Sequence, residues 1–299
     1  MPATTRHRVL LLGHGEMGHA LETLLATRHR LAVWQRRSPP GQEPVPLEDQ
    51  VIEAEFVLFC LPASAHAPLA ARLQPCLRQD TLCITIAKGL DDNGRTPAEA
   101  LGGALGREAL AVVYGPMIAE EIRAGKTAYA QCGAAAAGAA DRVQALFAGS
   151  ALQLETSGDV AGLSWSAVLK NVYALAFGMA DELALGDNVR GFLAVAALHE
   201  LDAIVRTLGG VAATPFHLAG LGDLITTATS AGSHHHELGR RLARGERGLT
   251  GEGVHTLAVL RTAPRFDTAR YPLYRALDDG LRQPEAARAR FLDFLHIAA

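Results

Sequence analysis

Residues 11–25 read LLGHGEMGHALETLL, with Gly13, Gly15 and Gly18 set between a short apolar run and a segment whose apolar side chains recur every three or four residues. Met17, Ala20, Leu21, Leu24 and Leu25 make that helical stripe. A strand that turns through G-x-G-x-x-G into a helix is the context in which this motif signifies dinucleotide binding. The glycines then serve a tight turn, close approach of backbone to a pyrophosphate, and close packing of helix on sheet, with the anion at the positive end of the helix dipole. The plain alternative is a glycine turn that merely joins a strand to a helix.

Working outward, RVLLLG (8–13), LAVWQR (31–36), FVLFCLP (56–62), LCITIAKG (82–89) and LAVVYGP (110–116) are brief apolar runs closed by glycine, proline or charge. Continuous apolarity of this kind suits strands buried on both faces of a parallel sheet. Helical patterns between them predict a doubly wound α/β domain of the Rossmann kind. The alanine-rich stretch 132–147 reads as a surface helix through Val143, Leu146 and Phe147. From about Val160 the pattern becomes long helices without strands, as in VLKNVYALAFGMADELALG (168–186) and RGFLAVAALHELDAIVRTLGG (190–210). The expected organisation is a dinucleotide-binding Rossmann domain over 1–158 and an all-helical substrate domain over 159–299.

Composition narrows the function classes. A chain of 299 residues exceeds what one core usually organises. With 49% hydrophobic residues, 20% charged residues and a net charge of -3, it has no basic excess for nucleic acid or an anionic membrane surface. No apolar run approaches the ~20 residues of a membrane helix. The N-terminus lacks the long apolar core of a signal peptide, and Cys60, Cys76, Cys83 and Cys132 match neither a metal pair nor a disulfide framework. A cytoplasmic protein with reduced thiols is expected, its partner a small molecule and a homodimer left open.

After the second strand the residues are Trp34, Gln35, Arg36 and Arg37, with no acid before Glu43. An acid there would select NAD, whereas arginine suits the 2′-phosphate of NADP; a solvated loop is the other reading. Lys170 lies in a segment apolar on nearly every side. It is either a buried acid/base group with a lowered pKa or a lysine whose head reaches the surface. Asn171 can bond a substrate oxygen, and Lys88 follows a strand at the carboxyl end of the sheet, where doubly wound folds bind ligands. Asp223, with Thr226 and Thr227 after it, is a polar site or a helix N-cap.

These residues line up in order with a known family. Through GHGEMG, VWQR, AKGL, YGPMIAEEI, LKNVYALAFGMADELALGDN, GLGDLITTATS and GEGVHT the chain resembles the bacterial-type NAD(P)-dependent glycerol-3-phosphate dehydrogenases nearly end to end. The resemblance implies an N-terminal Rossmann domain, an all-helical C-terminal domain, and NADP or NAD as cofactor. It implies Lys170 as catalytic acid/base, with Lys88 and Asp223 completing the site. Gly115, Met117, Asn171, Thr227, Ser233, His234 and His235 join Lys88 and Asp223 at substrate-binding positions. Gly13, Gly15, Glu16, Met17, Gly18, Arg36, Lys88, Ala119, His234, Thr250 and Glu252 match cofactor-binding positions.

Departures stand beside the matches. The family usually carries Ser-Arg-Asn-Arg where this chain has Ser233, His234, His235 and His236. Arginine holds phosphate by a permanently charged fork, and histidine does not. Met117 replaces a small residue, and Ala196 stands where many members have an arginine. Successive helical residues point about 100° apart, so three adjacent histidines do not converge on an ion, and no metal is expected.

The leading expectation is hydride transfer between NAD(P)H and dihydroxyacetone phosphate or sn-glycerol 3-phosphate, a glycerophospholipid precursor. A relative with a changed, nonphosphorylated hydroxy substrate is the alternative within the class. A nonenzymatic NADP(H)-binding redox sensor is the alternative outside it, though a sensor has no need of Lys88, Lys170 and Asp223 together.

Overall fold

The structure, a computed structural model, describes residues 5–36, 45–230 and 232–296; Arg37 and Glu43 lie outside the described residues. By its contacts the chain divides into two units, Met1–Ala87 with Arg95–Val160, and Lys88–Gly94 with Ala161–Ala299. The short segment Lys88–Gly94 therefore groups with the second unit although the first unit surrounds it in sequence.

The first unit runs β1 (Arg8–Leu12), α1 (Glu16–Leu25), β2 (Arg30–Trp34), α2 (Leu47–Val51), β3 (Phe56–Phe59), α3 (His66–Leu73), β4 (Leu82–Thr85), α4 (Pro97–Leu105), β5 (Leu110–Tyr114), α5 (Ala119–Arg123), β6 (Ala128–Ala134), α6 (Ala139–Phe147) and β7 (Leu152–Ser157). The sheet order is β2-β1-β3-β4-β5-β6-β7, parallel except where β6 pairs antiparallel with β5. Strand order reverses between β1 and β3, and at such a switch point doubly wound sheets bind ligands beyond the strand ends. In β3, β4 and β5 every residue is buried, as the unbroken apolar runs demand.

The first five strands agree with the sequence expectation, whereas β6 and β7 were not foreseen. AYAQCGA is built mainly of small residues with weak strand preference, and LQLETS alternates burial as a half-exposed edge does. The alanine-rich stretch 132–147 is thus corrected: its first residues finish β6, and only Ala139–Phe147 is helical.

The second unit is helical: α7 (Val160–Glu182), α8 (Asp187–Thr207), α9 (Asp223–Thr229), α10 (His234–Ala243), α11 (Glu252–Thr262), α12 (Pro272–Arg282) and α13 (Ala287–Phe294). Every residue of α7 from Gly162 to Ala180 is buried. This helix, with 23 residues, does reach the length and apolarity of a membrane span, contrary to the sequence reading; 89% of its apolar window is buried within the fold, as in a core helix.

Glycines let α10 lie directly on α7. A Cβ on Gly178 would fall 1.9 Å from the His236 carbonyl oxygen, and one on Gly239 would fall 2.0 Å from the Leu175 carbonyl oxygen. Both obstacles are backbone, which cannot swing aside as a side chain would. Gly239→Ala is therefore expected to destabilise the protein by about 3 kcal/mol, the upper part of the usual overpacking range. Denaturant unfolding checks this; a change below about 0.5 kcal/mol would show that the two helices separate without cost.

Candidate active site

Three charged groups meet inside the helical unit. Asp223 lies in the first turn of α9, entered from the π-helical turn Leu218–Gly222. The preceding residue, Gly222, occupies the N-cap, so Asp223 is not the helix cap. Lys88 Nζ donates to Asp223 Oδ2 at 2.7 Å, and Lys170 Nζ lies 3.2 Å from the same oxygen. Lys170, on α7, is 5% exposed, which excludes a head group at the surface. Its Nζ also donates to Thr227 Oγ1 at 2.7 Å, and that hydroxyl donates to the Asp223 carbonyl at 2.7 Å, one turn back in α9.

Electrostatics follow from burial. Loss of water lowers the Lys170 pKa, Asp223 raises it, Lys88 lowers it again, and the balance is about 8. For Asp223 burial acts to raise the pKa, but the Lys170 and Lys88 ammoniums prevail and hold it below the ordinary carboxylate value. The Asn171 amide nitrogen donates to the Lys88 carbonyl at 2.9 Å and to Glu252 Oε2 at 3.1 Å. Asn171 Oδ1 and His235 Nε2 are buried without hydrogen-bond partners among the described residues. Unsatisfied buried polar atoms are costly, and two of them on residues of this neighbourhood mark a place prepared for a polar ligand.

The three histidines diverge. His234 Nε2 donates to the Thr250 carbonyl at 3.1 Å, and His236 Nε2 bonds Asp181 Oδ2 at 2.7 Å. His235 turns inward. Burial first, then the charges of Lys170 and His234, lower its pKa to about 3, so it is neutral throughout the ordinary pH range. The Ser233 hydroxyl accepts from the His236 amide at 3.3 Å and caps α10. Ala196 is partly buried against the apolar core of this unit.

Most of the remaining residues singled out in the sequence belong to the first unit. Gly13 adopts φ +97°, and a Cβ there would lie 2.6 Å from the Cys60 carbonyl oxygen. A Cβ on Gly18 would meet the Gly13 carbonyl oxygen at 2.5 Å, whereas one on Gly15, the N-cap of α1, would meet nothing within 4 Å. The loop therefore has a turn and a close packing that require glycine, and open space before the helix amides that lack intrahelical partners. This cradle fits a dinucleotide pyrophosphate. Glu16, exposed in the first helical turn, pairs with Arg123 at 2.6 Å. Met17 and Ala119 pack against the apolar core of this unit, and Arg36 is exposed just beyond β2. Met117 is buried in that same core, and a Cβ on Gly115 would strike the Tyr129 carbonyl oxygen at 2.5 Å. Both positions thus have packing reasons that the sequence reading did not see.

Sequence reasoning also missed Gly253. A Cβ there would fall 2.4 Å from the Asn171 carbonyl oxygen, so glycine brings α11, and with it Glu252, against α7. The GEG block at 251–253 was the available signal.

Comparison with known proteins gives concordant matches. Residues 159–287 match the family model described as the NAD-dependent glycerol-3-phosphate dehydrogenase C-terminus, and residues 42–140 match that of its N-terminus. The NAD(P)+ glycerol-3-phosphate dehydrogenase of Gloeobacter violaceus is 33% identical over 299 residues, covering 95% of this chain and 96% of the relative. That of Synechocystis sp. is 32% identical, covering 96% and 94%. Among solved structures, glycerol-3-phosphate dehydrogenase from Coxiella burnetii superposes with a TM-score of 0.82 at 24% identity, covering 96% of this chain and 99% of that one. A ketopantoate reductase from Ralstonia eutropha shares the fold more loosely, with a TM-score of 0.56 at 19% identity, covering 96% and 99%.

Removing the carboxylate tests the electrostatics directly. Asp223→Asn leaves two ammoniums with no counter-charge between them, and breaking a buried pair in this way costs about 3–5 kcal/mol. With the raising influence gone, the Lys170 pKa falls further below 8. At low pH the variant has to keep Lys170 charged without its partner, whereas above about pH 8 Lys170 is neutral in both proteins. The stability deficit should therefore narrow as pH rises toward about 8, over the interval in which Lys170 has lost its proton in the variant and kept it in the parent, and stay constant above it, measured by denaturant unfolding across pH. A deficit independent of pH would contradict the pairing.

Proposed function

This chain belongs to the NAD(P)-dependent glycerol-3-phosphate dehydrogenase family, and on that premise we propose that it reduces dihydroxyacetone phosphate to sn-glycerol 3-phosphate in the cytoplasm, with Lys170 as the proton donor. The observation that carries this reading is the buried Lys170 ammonium, poised at about 8 between Asp223 and Thr227. A general acid works best with a pKa near the operating pH, and an ordinary lysine lies far above it.

The cofactor, when bound, supplies a hydride to the ketone carbon. Gly13, Gly15 and Gly18 would hold its pyrophosphate at the N-terminus of α1, and Arg36 suits the 2′-phosphate of NADP. As the carbonyl oxygen gains negative charge, Lys170 gives it a proton and becomes a neutral amine. Lys88 contributes positive charge to the developing oxyanion, and Asp223 holds both ammoniums in place. Asn171 Oδ1 and neutral His235 Nε2 are free to meet substrate hydroxyls. In the reverse direction neutral Lys170 accepts the hydroxyl proton. A redox sensor without catalysis gives no account of a lysine so placed.

Two measurements test this reading. Lys170→Met should lower kcat for ketone reduction by about 10²- to 10⁴-fold while cofactor affinity, read by fluorescence titration, is retained. In the unaltered protein reduction should fall as pH rises through about 8, because the proton to be donated is lost, and oxidation should rise over the same interval. A pH profile flat across that interval in both directions would reject Lys170 as the acid/base.

One observation favours a changed substrate. The exposed His234 imidazole, bonded to the Thr250 carbonyl, stands where the family usually has a phosphate-binding arginine. His234→Arg is expected to lower KM for dihydroxyacetone phosphate and to leave KM for nonphosphorylated ketones unchanged. Should a nonphosphorylated ketone outperform dihydroxyacetone phosphate in the unaltered protein, the changed-substrate reading replaces this one.

A further inference from the structure

Away from the lysine cluster, three side chains with metal-ligating atoms converge on the first helix of the sheet unit. His14 Nε2 lies 2.8 Å from Glu22 Oε2, and His19 Nδ1 lies 3.7 Å from the same oxygen. The ligand atoms of all three lie within 4.8 Å of one another. The two imidazole rings are 3.8 Å apart between centroids, tilted by 43°. His14 is 19% exposed at its side chain, His19 43% and Glu22 40%, so an ion could reach the group from solvent.

The backbone accounts for the convergence. His19 and Glu22, three residues apart in α1, are neighbours on one helix face. His14 precedes the helix, yet the turn at Gly13 sends its ring back along α1. It passes over Gly18, where a Cβ would sit 3.7 Å from His14 Cδ2. The loop geometry that opens the space before Gly15 therefore also delivers an imidazole to the second turn of the helix.

We propose that His14, His19 and Glu22 form a binding site for a divalent transition-metal ion of the zinc class. Two imidazole nitrogens and one carboxylate oxygen suit zinc, cobalt or nickel, whereas magnesium and calcium take oxygen ligands. A tetrahedral ion about 2.0–2.2 Å from each ligand separates ligand atoms by roughly 3.3–3.5 Å. The 2.8 and 3.7 Å separations to the shared oxygen bracket that range, so small side-chain torsions suffice to seat the ion. A simple hydrogen bond would employ only His14 and Glu22. His19 Nδ1 stands too far from Glu22 Oε2 for a hydrogen bond but at a suitable distance for a second ligand. Because His14 lies between Gly13 and Gly15, the ion ties the glycine loop to the body of α1.

The test uses the full-length chain, stripped of metal with a chelator and dialysed. Cobalt(II) titration should develop the visible absorption of tetrahedral cobalt and saturate at one ion per chain, and zinc(II) should displace it with a calorimetric signal of the same stoichiometry. His19→Ala and Glu22→Gln, both on the solvent-facing side of α1, should each weaken zinc by at least about tenfold, since even outer-shell changes cost that much. A variant with His234 and His236 both changed to Ala should bind as the parent does, which separates this site from the histidine run. Zinc affinity unaltered by His19→Ala, absence of saturable binding, or magnesium binding as tight as zinc would each overturn the proposal.

Discussion

An ammonium ion withdrawn from water has to be answered by a nearby carboxylate, and in the helical unit Asp223 answers two of them. Desolvation costs several kcal/mol for each ion, and the attraction offsets that cost only if the geometry is close. The geometry is close at 2.7 and 3.2 Å. It brings together three pieces of chain far apart in sequence: α7, the start of α9, and the segment beginning at Lys88. Two ammoniums against one carboxylate leave positive charge within the triad, tempered by Glu252 through Asn171. An oxygen gaining negative charge would find compensation there without any reorganisation of solvent.

Holding such a cluster requires helices that approach more closely than ordinary side chains permit. Gly253 gives α11 its contact with α7 at Asn171, beside Lys170, while Gly178 and Gly239 bring α10 onto the same helix. Gly220, whose Cβ would fall 2.1 Å from the Pro215 carbonyl oxygen, packs the π-turn that leads into Asp223. An alanine at any of these positions would meet backbone at 2.4 Å or less. The glycines of the GLGDL and GEG blocks are thus part of the same device as the charged residues they flank.

This explains what could be read from the sequence. Strands buried on both faces announced themselves by unbroken apolarity, and a lysine within the apolar run of α7 raised the question of a buried charge, which its 5% exposure answers. Lys88 and Asp223 could be placed near that lysine only by family resemblance, because nothing in spacing links residues 135 positions apart. The strands β6 and β7 escaped because small or alternating polar residues carry a weak strand signal. Gly115 and Met117 were read for chemistry although the sheet explains both by packing. His14, His19 and Glu22 escaped for another reason: their spacing crosses the start of a helix, so no single periodicity contains it.

The histidine run shows how adjacency in sequence becomes divergence in space. With about 100° between successive helical residues, His234 reaches the Thr250 carbonyl, His236 reaches Asp181, and His235 points inward to join the environment of the lysines. Of these, His235 does not serve as a cation near neutral pH, since burial beside Lys170 lowers its pKa to about 3. Among these three histidines, the inward-facing one therefore adds no positive charge to that of Lys88 and Lys170. In the function proposed above, the replacement of arginine bears on one position, His234, and on the phosphate end of the substrate rather than its reacting carbonyl. On the proposed reading, proton donation and phosphate recognition fall to different residues, so substrate preference can shift while the hydride and proton chemistry stays as it is.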